Sequence, residues 1–199
     1  MPPQLPRDLR RRQGNFSSKD VILVVCTEES EAEYFRWAAK LLGTYPAQVR
    51  LSPSADLRSI VDLAVQIRKE EKAKGSPIDR VWCVVNGAES IQDQEVLAFA
   101  RRNRILIAFS QPSFKVWLML HHVAQDDLYD DGTLAIYLSQ EYPLAELAGN
   151  YDIAARRSAQ LRGQNGDGTA EPSTDADLVI EDIRQALQRF SGSEYPTTL

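Results

Sequence analysis

The sequence predicts an α/β fold: a mostly parallel four-stranded sheet flanked by helices, followed by a helical extension. Three observations carry this reading. Short, β-branched apolar runs recur at Val21–Cys26, Ala47–Leu51, Val81–Val85 and Ile105–Phe109. The segments between them place apolar residues at helical spacing, and alternating strands and helices of this length imply right-handed crossovers and parallel pairing. After His122 the strand signal stops and only helical periodicity remains.

Residues 1–18 are rich in Pro and Arg and lack periodicity, so they read as a mobile basic arm charged by Arg7, Arg10, Arg11 and Arg12. Such an arm is either a solvated tail or a contact for phosphate or a partner. The α/β core spans 19–125. Its first strand is apolar throughout, as a central parallel strand buried on both faces must be. The following helix puts Phe35, Ala38, Ala39 and Leu42 on one face and stops at Gly43. The second helix repeats Leu57, Ile60, Val61, Ala64 and Ile67, then runs out in the charged stretch Arg68–Lys74 before Gly75 and Pro77. Cations there suit a helix C-terminus, and the run reads as a solvated last turn or two. The third strand ends at Asn86-Gly87, a turn pair. A helix from about 91 to 102 leads to the fourth strand, and Pro112 opens a helix over 114–122. The extension, 126–190, begins with an acidic loop at 126–131, continues in helical stretches near 133–147 and 150–162, and ends in a helix N-capped by Thr174 with Asp177 three residues on. Residues 191–199 read as a disordered tail.

Composition bounds the function. Of 199 residues 43% are apolar, enough for a proper core, and the net charge of −5 excludes a surface devoted wholly to nucleic acid while leaving room for a local basic face. Cys26 and Cys83 sit inside strand patterns and fit a reducing cytoplasm better than secretion. No run approaches the roughly 18 apolar residues that span a bilayer, and Arg10-Arg11-Arg12 is not followed by an apolar segment, so neither a membrane span nor a signal peptide is expected. The expected location is the cytoplasm.

Zinc spacing, a P-loop, a dinucleotide turn and a nucleophile elbow are all missing from the sequence. What remains is acidic. Glu28, Glu29, Glu31 and Glu33 follow the first strand, and Asn86, Glu89 and Asp93 follow the third. Should those strands be neighbours, both groups converge on the carboxyl edge of the sheet, where open α/β folds bind ligands. A hard cation such as Mg²⁺ takes oxygen ligands of this kind and could activate water against a phosphodiester. Acids at a helix N-terminus are equally well explained by the helix dipole. His121 and His122 end a helix together, so one is expected to face the core and the other solvent.

Taken together these segments resemble the RloB-like family, whose fold belongs to the Toprim superfamily. The resemblance rests on Val24-Val-Cys-Thr-Glu-Glu-Ser-Glu-Ala-Glu-Tyr-Phe35, on Val81-Trp-Cys-Val-Val85, on Gln111-Pro-Ser-Phe-Lys-Val-Trp-Leu-Met-Leu-His121 and on Glu171-Pro-Ser-Thr174 before the last helix. It covers most of 8–190. It implies a Mg²⁺-dependent nuclease of bacterial defence against phage, with a glutamate after the first strand as general acid/base and an Asp-x-Asp after the third for the metal. The chain departs from that pattern. The glycine after the first strand is missing and the turn is one residue shorter, so Glu28 replaces the family glutamate only approximately, whereas Glu31 matches the second acidic position. The Asp-x-Asp has become Asn86-Gly87-Ala88, and the glutamate before Trp117 has become Lys115.

Removing up to two carboxylates and adding a cation weakens a divalent site. The expected function is therefore a catalytically degenerate, nucleic-acid- or partner-binding component of a defence system. In it Arg10, Arg11, Arg12, Lys115 and His121 contact phosphate or a partner, and no cofactor is needed. The alternative is a divergent Mg²⁺ nuclease with Glu28 and Glu31 catalytic and Glu28, Asn86 and Glu89 holding the metal. A nucleotide- or small-molecule-binding α/β domain is a third reading. Neither partner identity nor homo-oligomerisation is fixed by the sequence.

Overall fold

The computed structural model describes residues 20–42, 47–87, 93–124, 131–164 and 172–194. Five strands form one mixed sheet in the order β2-β1-β3-β4-β5, with β1 Ile22–Cys26, β2 Ala47–Leu51, β3 Arg80–Asn86, β4 Leu106–Gln111 and β5 Ser173–Thr174. The first four are parallel, and β1 lies between β2 and β3, so the ends of β1 and β3 do meet at one edge.

Every residue of β1 is buried, because alternate side chains feed two separate cores. Leu23 and Val25 pack with α2 (Leu57–Ala73) and α3 (Gln94–Arg102) on one face. Ile22, Val24 and Cys26 pack on the other, against α1 (Glu29–Leu41) and α4 (Lys115–Met119). That second core also takes Leu134 from α5 (Asp131–Leu138), Leu161 from α6 (Tyr151–Gln164) and Ile183 from α7 (Ala176–Glu194). The extension is thus part of the same hydrophobic cluster as the sheet.

Four expectations change. The extension is not purely helical, since β5 adds an antiparallel fifth strand beside β4. Its two residues are fixed by side chains: the hydroxyls of Ser110 and Thr174 bond at 2.8 Å, and the Phe109 N–H donates to the Asp175 carboxylate at 3.2 Å. The residue directly before α7 is consequently Asp175, while the Thr174 hydroxyl accepts from Ala176 N–H at 3.3 Å. Finally, α7 runs to Glu194, past Ser191, and the long helix expected over 133–147 is a short α5 followed by 3-10 turns at Leu144–Glu146 and Ala148–Asn150. Arg162 ties the extension together: its guanidinium donates to both oxygens of Asp177, at 2.5 and 2.6 Å, and to the Thr174 carbonyl at 2.7 Å. A bidentate pair of this kind satisfies charges that burial would otherwise leave costly.

The residues 1–18, Gly43, the acidic loop at 126–130 and the last five residues lie outside the described residues. No helix among the described residues is long and apolar enough to cross a membrane.

Candidate functional site

The first strand ends at Cys26, and Glu28 takes an extended backbone, φ −124° and ψ 150°, before α1 begins at Glu29. The third residue of that helix, Glu31, folds back over the turn. Its carboxylate accepts from Thr27 N–H at 2.8 Å, from Glu28 N–H at 3.1 Å and from the Thr27 hydroxyl at 3.2 Å. This is one arm of a capping box, in which the residue at the third helical position satisfies the N–H groups that the helix cannot.

Asn86 closes the arrangement from β3. Its Nδ2 donates to Glu31 Oε1 at 2.5 Å, across 55 residues of sequence. Glu31 is fully buried, and among the described residues it accepts from four donors and forms no ion pair. Burial dominates that balance and raises the carboxyl from 4.5 to about 7, against the lowering effect of the Glu28 and Thr27 backbone bonds and the Asn86 amide. Half-protonated near neutrality, Glu31 is a polar lock between the start of α1 and the end of β3.

Glu28 is exposed: its side chain accepts from the Glu31 N–H as the second arm of the capping box, with the Ser30 hydroxyl 3.4 Å away. The remaining acids of the cluster go elsewhere. Glu29 pairs with Arg36 at 2.7 Å in solvent. Asp93 caps α3, accepting from Glu95 and Val96 N–H at 3.1 and 3.0 Å. Glu89 and Ala88 lie outside the described residues, as do Arg10, Arg11 and Arg12. Among the described residues no three His, Cys, Asp or Glu groups are placed to hold a metal ion.

These residues do not suit Mg²⁺. The buried carboxylate already receives N–H and O–H donors on both oxygens, so positive ends of dipoles occupy the directions a cation would need. Its partner is an amide donating hydrogen, which supplies no charge for a hard ion. Lys115 is half-buried, with Nζ on the Leu138 carbonyl at 3.1 Å, and it lines a groove of about 510 Å³ together with Glu28, Glu33, Glu141 and Tyr142. A cation on that rim offsets the acids beside it.

His121 is a correction to the phosphate-contact set. It is 2% exposed, its Nδ1 bonds to the Trp117 carbonyl at 3.0 Å, and its ring meets Trp117 edge-on at 4.8 Å. Burial lowers it from 6.5 to about 4, so at neutral pH it is an uncharged core residue and offers no charge to a phosphate. His122, by contrast, is exposed. Thr27 is the participant that the acidic pattern hid, because its role is chiefly a backbone N–H. The two cysteines are buried, and burial pushes both thiols upward, Cys83 to about 12, so neither is a nucleophile.

Residues 22–183 match the family described as RloB-like protein. No curated protein and no solved structure matches the chain.

Proposed function

The chain belongs to the RloB-like protein family, and on that premise we propose that it is a Toprim-like, nucleic-acid- or partner-binding component of bacterial anti-phage defence that no longer cleaves phosphodiesters. The observation carrying this reading is the closed Glu31–Asn86 contact. An acidic active site keeps its carboxylates ionised and open for a cation. Here the inward-facing carboxylate is spent on capping α1 and on an amide, and burial favours its neutral form.

Binding needs less of the scaffold than catalysis does. The strands, the α1 turn and the aromatic packing of Trp117 persist, while the charge required for Mg²⁺ does not. The groove holding Glu28 and Lys115 presents mixed charge and the Tyr142 ring at its rim, a surface suited to positioning a partner.

The expected result is that the purified protein, with millimolar Mg²⁺ or Mn²⁺, leaves single- and double-stranded DNA and RNA intact. Metal-dependent cleavage lost in Glu28→Ala would overturn the reading and install the nuclease alternative. Glu28 is the better probe than Glu31, because its side chain is exposed and its removal gives up one arm of the capping box while leaving the Glu31–Asn86 contact in place, and circular dichroism checks that the variant is folded.

A further inference from the structure

The opposite rim of the sheet, where the parallel strands begin, carries a second site. There α2 and α3 end side by side, and their last turns enclose a groove of about 580 Å³ lined by Arg68, Lys69, Lys72, Arg102 and Arg104, with Asp79 as its acid. Five cations converge in a chain whose net charge is −5. Asp79 offsets one of the five, and among the described residues it forms no ion pair with any of them: its carboxylate accepts from Val21 N–H at 2.8 Å. The nearby Glu71 pairs with Lys74 at 2.9 Å, and Glu70 accepts from Gln66 at 2.9 Å. Among the described residues, Lys69, Lys72, Arg102 and Arg104 make no ion pair with a carboxylate and are exposed. Arg68 fixes the floor, its Nη2 donating at 2.5 Å to the Asn103 carbonyl and so tying α2 to the end of α3.

Cations in the last turn of a helix also serve its dipole, and that alone explains Lys72 and Arg102. It does not explain Arg104. Both helices end in the same motif. After α2, Gly75 N–H bonds to the Lys72 carbonyl and Ser76 N–H to that of Glu71, with Gly75 at φ +81°. After α3, Arg104 N–H bonds to the Arg101 carbonyl and Ile105 N–H to that of Ala100, with Arg104 at φ 53°. The left-handed position of this motif favours glycine, because a Cβ there meets its own carbonyl. The first helix uses glycine. The second places an arginine in the unfavourable conformation, and its side chain lines the groove. A strained residue at a concave charged site points to a role outside the fold.

We infer that this groove binds the phosphodiester backbone of nucleic acid. The inference rests on the binding reading of the protein but not on the Glu31 edge. Lys69 and Lys72 lie one turn apart on α2, about 5 Å along the axis, close enough to engage neighbouring phosphates, while Arg102 and Arg104 line the same groove from the end of α3. Contacts to phosphate from Arg and Lys are independent of sequence and strongly salt-dependent.

The test uses the full chain and short fluorescent single-stranded DNA, single-stranded RNA and duplex DNA, with anisotropy measured between about 50 and 200 mM salt. Lys69→Ala/Lys72→Ala/Arg102→Ala is expected to weaken binding at least about tenfold and to flatten the log–log salt dependence by about two to three. Arg104→Gly should weaken binding while raising Tm by about 2–4 °C, since it removes backbone strain. A purely structural arginine would not give these opposite signs. Binding that survives both variants but is lost with Lys115→Ala overturns the groove and leaves the binding function standing. No binding by the unaltered protein overturns the groove and confines the binding function to protein partners. Equal affinity for polyglutamate at the same salt overturns the nucleic-acid assignment in favour of acidic peptides.

Discussion

Asn86→Asp is expected to make the fold depend on a proton or a divalent cation. In the present chain Asn86 donates an N–H to Glu31 at 2.5 Å, so the contact is attractive whether or not Glu31 is ionised. An aspartate there would set a second carboxylate against a carboxyl that is wholly buried. Two such groups in contact cannot both ionise, and they share a proton instead. Holding both charged at pH 8 would cost about 3–5 kcal/mol, a large part of the 5–15 kcal/mol that keeps an ordinary domain folded. The variant's Tm should therefore fall by about 10 °C at pH 8, recover near pH 5 where one carboxyl is protonated, and rise at pH 8 when Mg²⁺ or Mn²⁺ is added. The unaltered protein should show no metal-dependent change in Tm. An Asn86→Asp protein as stable as its parent at pH 8 without metal would mean that the two side chains do not face each other as described.

The same pair shows what could be read in the sequence. The strands were legible because each is a compact apolar run between turn signals, but the adjacency of β1 and β3 was only a condition, because alternation of strands and helices implies parallel pairing without fixing strand order. Which acid mattered was harder. Glu28, Glu29, Glu31 and Glu33 look alike in a string, and only the turn geometry sends Glu31 inward to the Thr27 and Glu28 amides. The spacing Glu28-x-x-Glu31 did carry a capping signal, but a Ser or Thr at its first position would have announced it more plainly. His121 belonged to a motif, and a motif does not report burial. β5 was out of reach: two residues have no period, and their ladder partners Ser110 and Gln111 are far away in sequence. The basic groove was hidden for a related reason. Arg68–Lys74 reads as a solvated helix end, and nothing in Asn103-Arg104-Ile105 signals that the backbone turns left-handed there.

Glu31→Gln should change how stability depends on pH more than it changes the structure. Gln can keep the bonds from Thr27 and Glu28, and rotating the Asn86 amide presents Oδ1 to the new Nε2. What disappears is a titration. In the folded chain Glu31 lies at about 7, above its ordinary 4.5, so between those values the folded state holds a proton that the unfolded state releases. That contribution is complete below about 4.5 and is lost as pH rises through 7, and a gap of this size is worth about 3 kcal/mol. His121 works in the opposite sense. Its folded value of about 4 lies below 6.5, so the unfolded state takes the extra proton, and stability rises with pH across that window. In the parent the two windows overlap and largely cancel, giving a nearly flat profile from about 4.5 to 6.5. Removing the Glu31 titration should uncover the His121 slope. Urea unfolding at intervals from pH 4.5 to 8 should therefore find Glu31→Gln gaining on its parent by about 3 kcal/mol over that range. A difference between the two proteins that stays constant with pH would show that Glu31 is ionised throughout, and an ionised, open Glu31 is the condition under which the nuclease reading would regain its site.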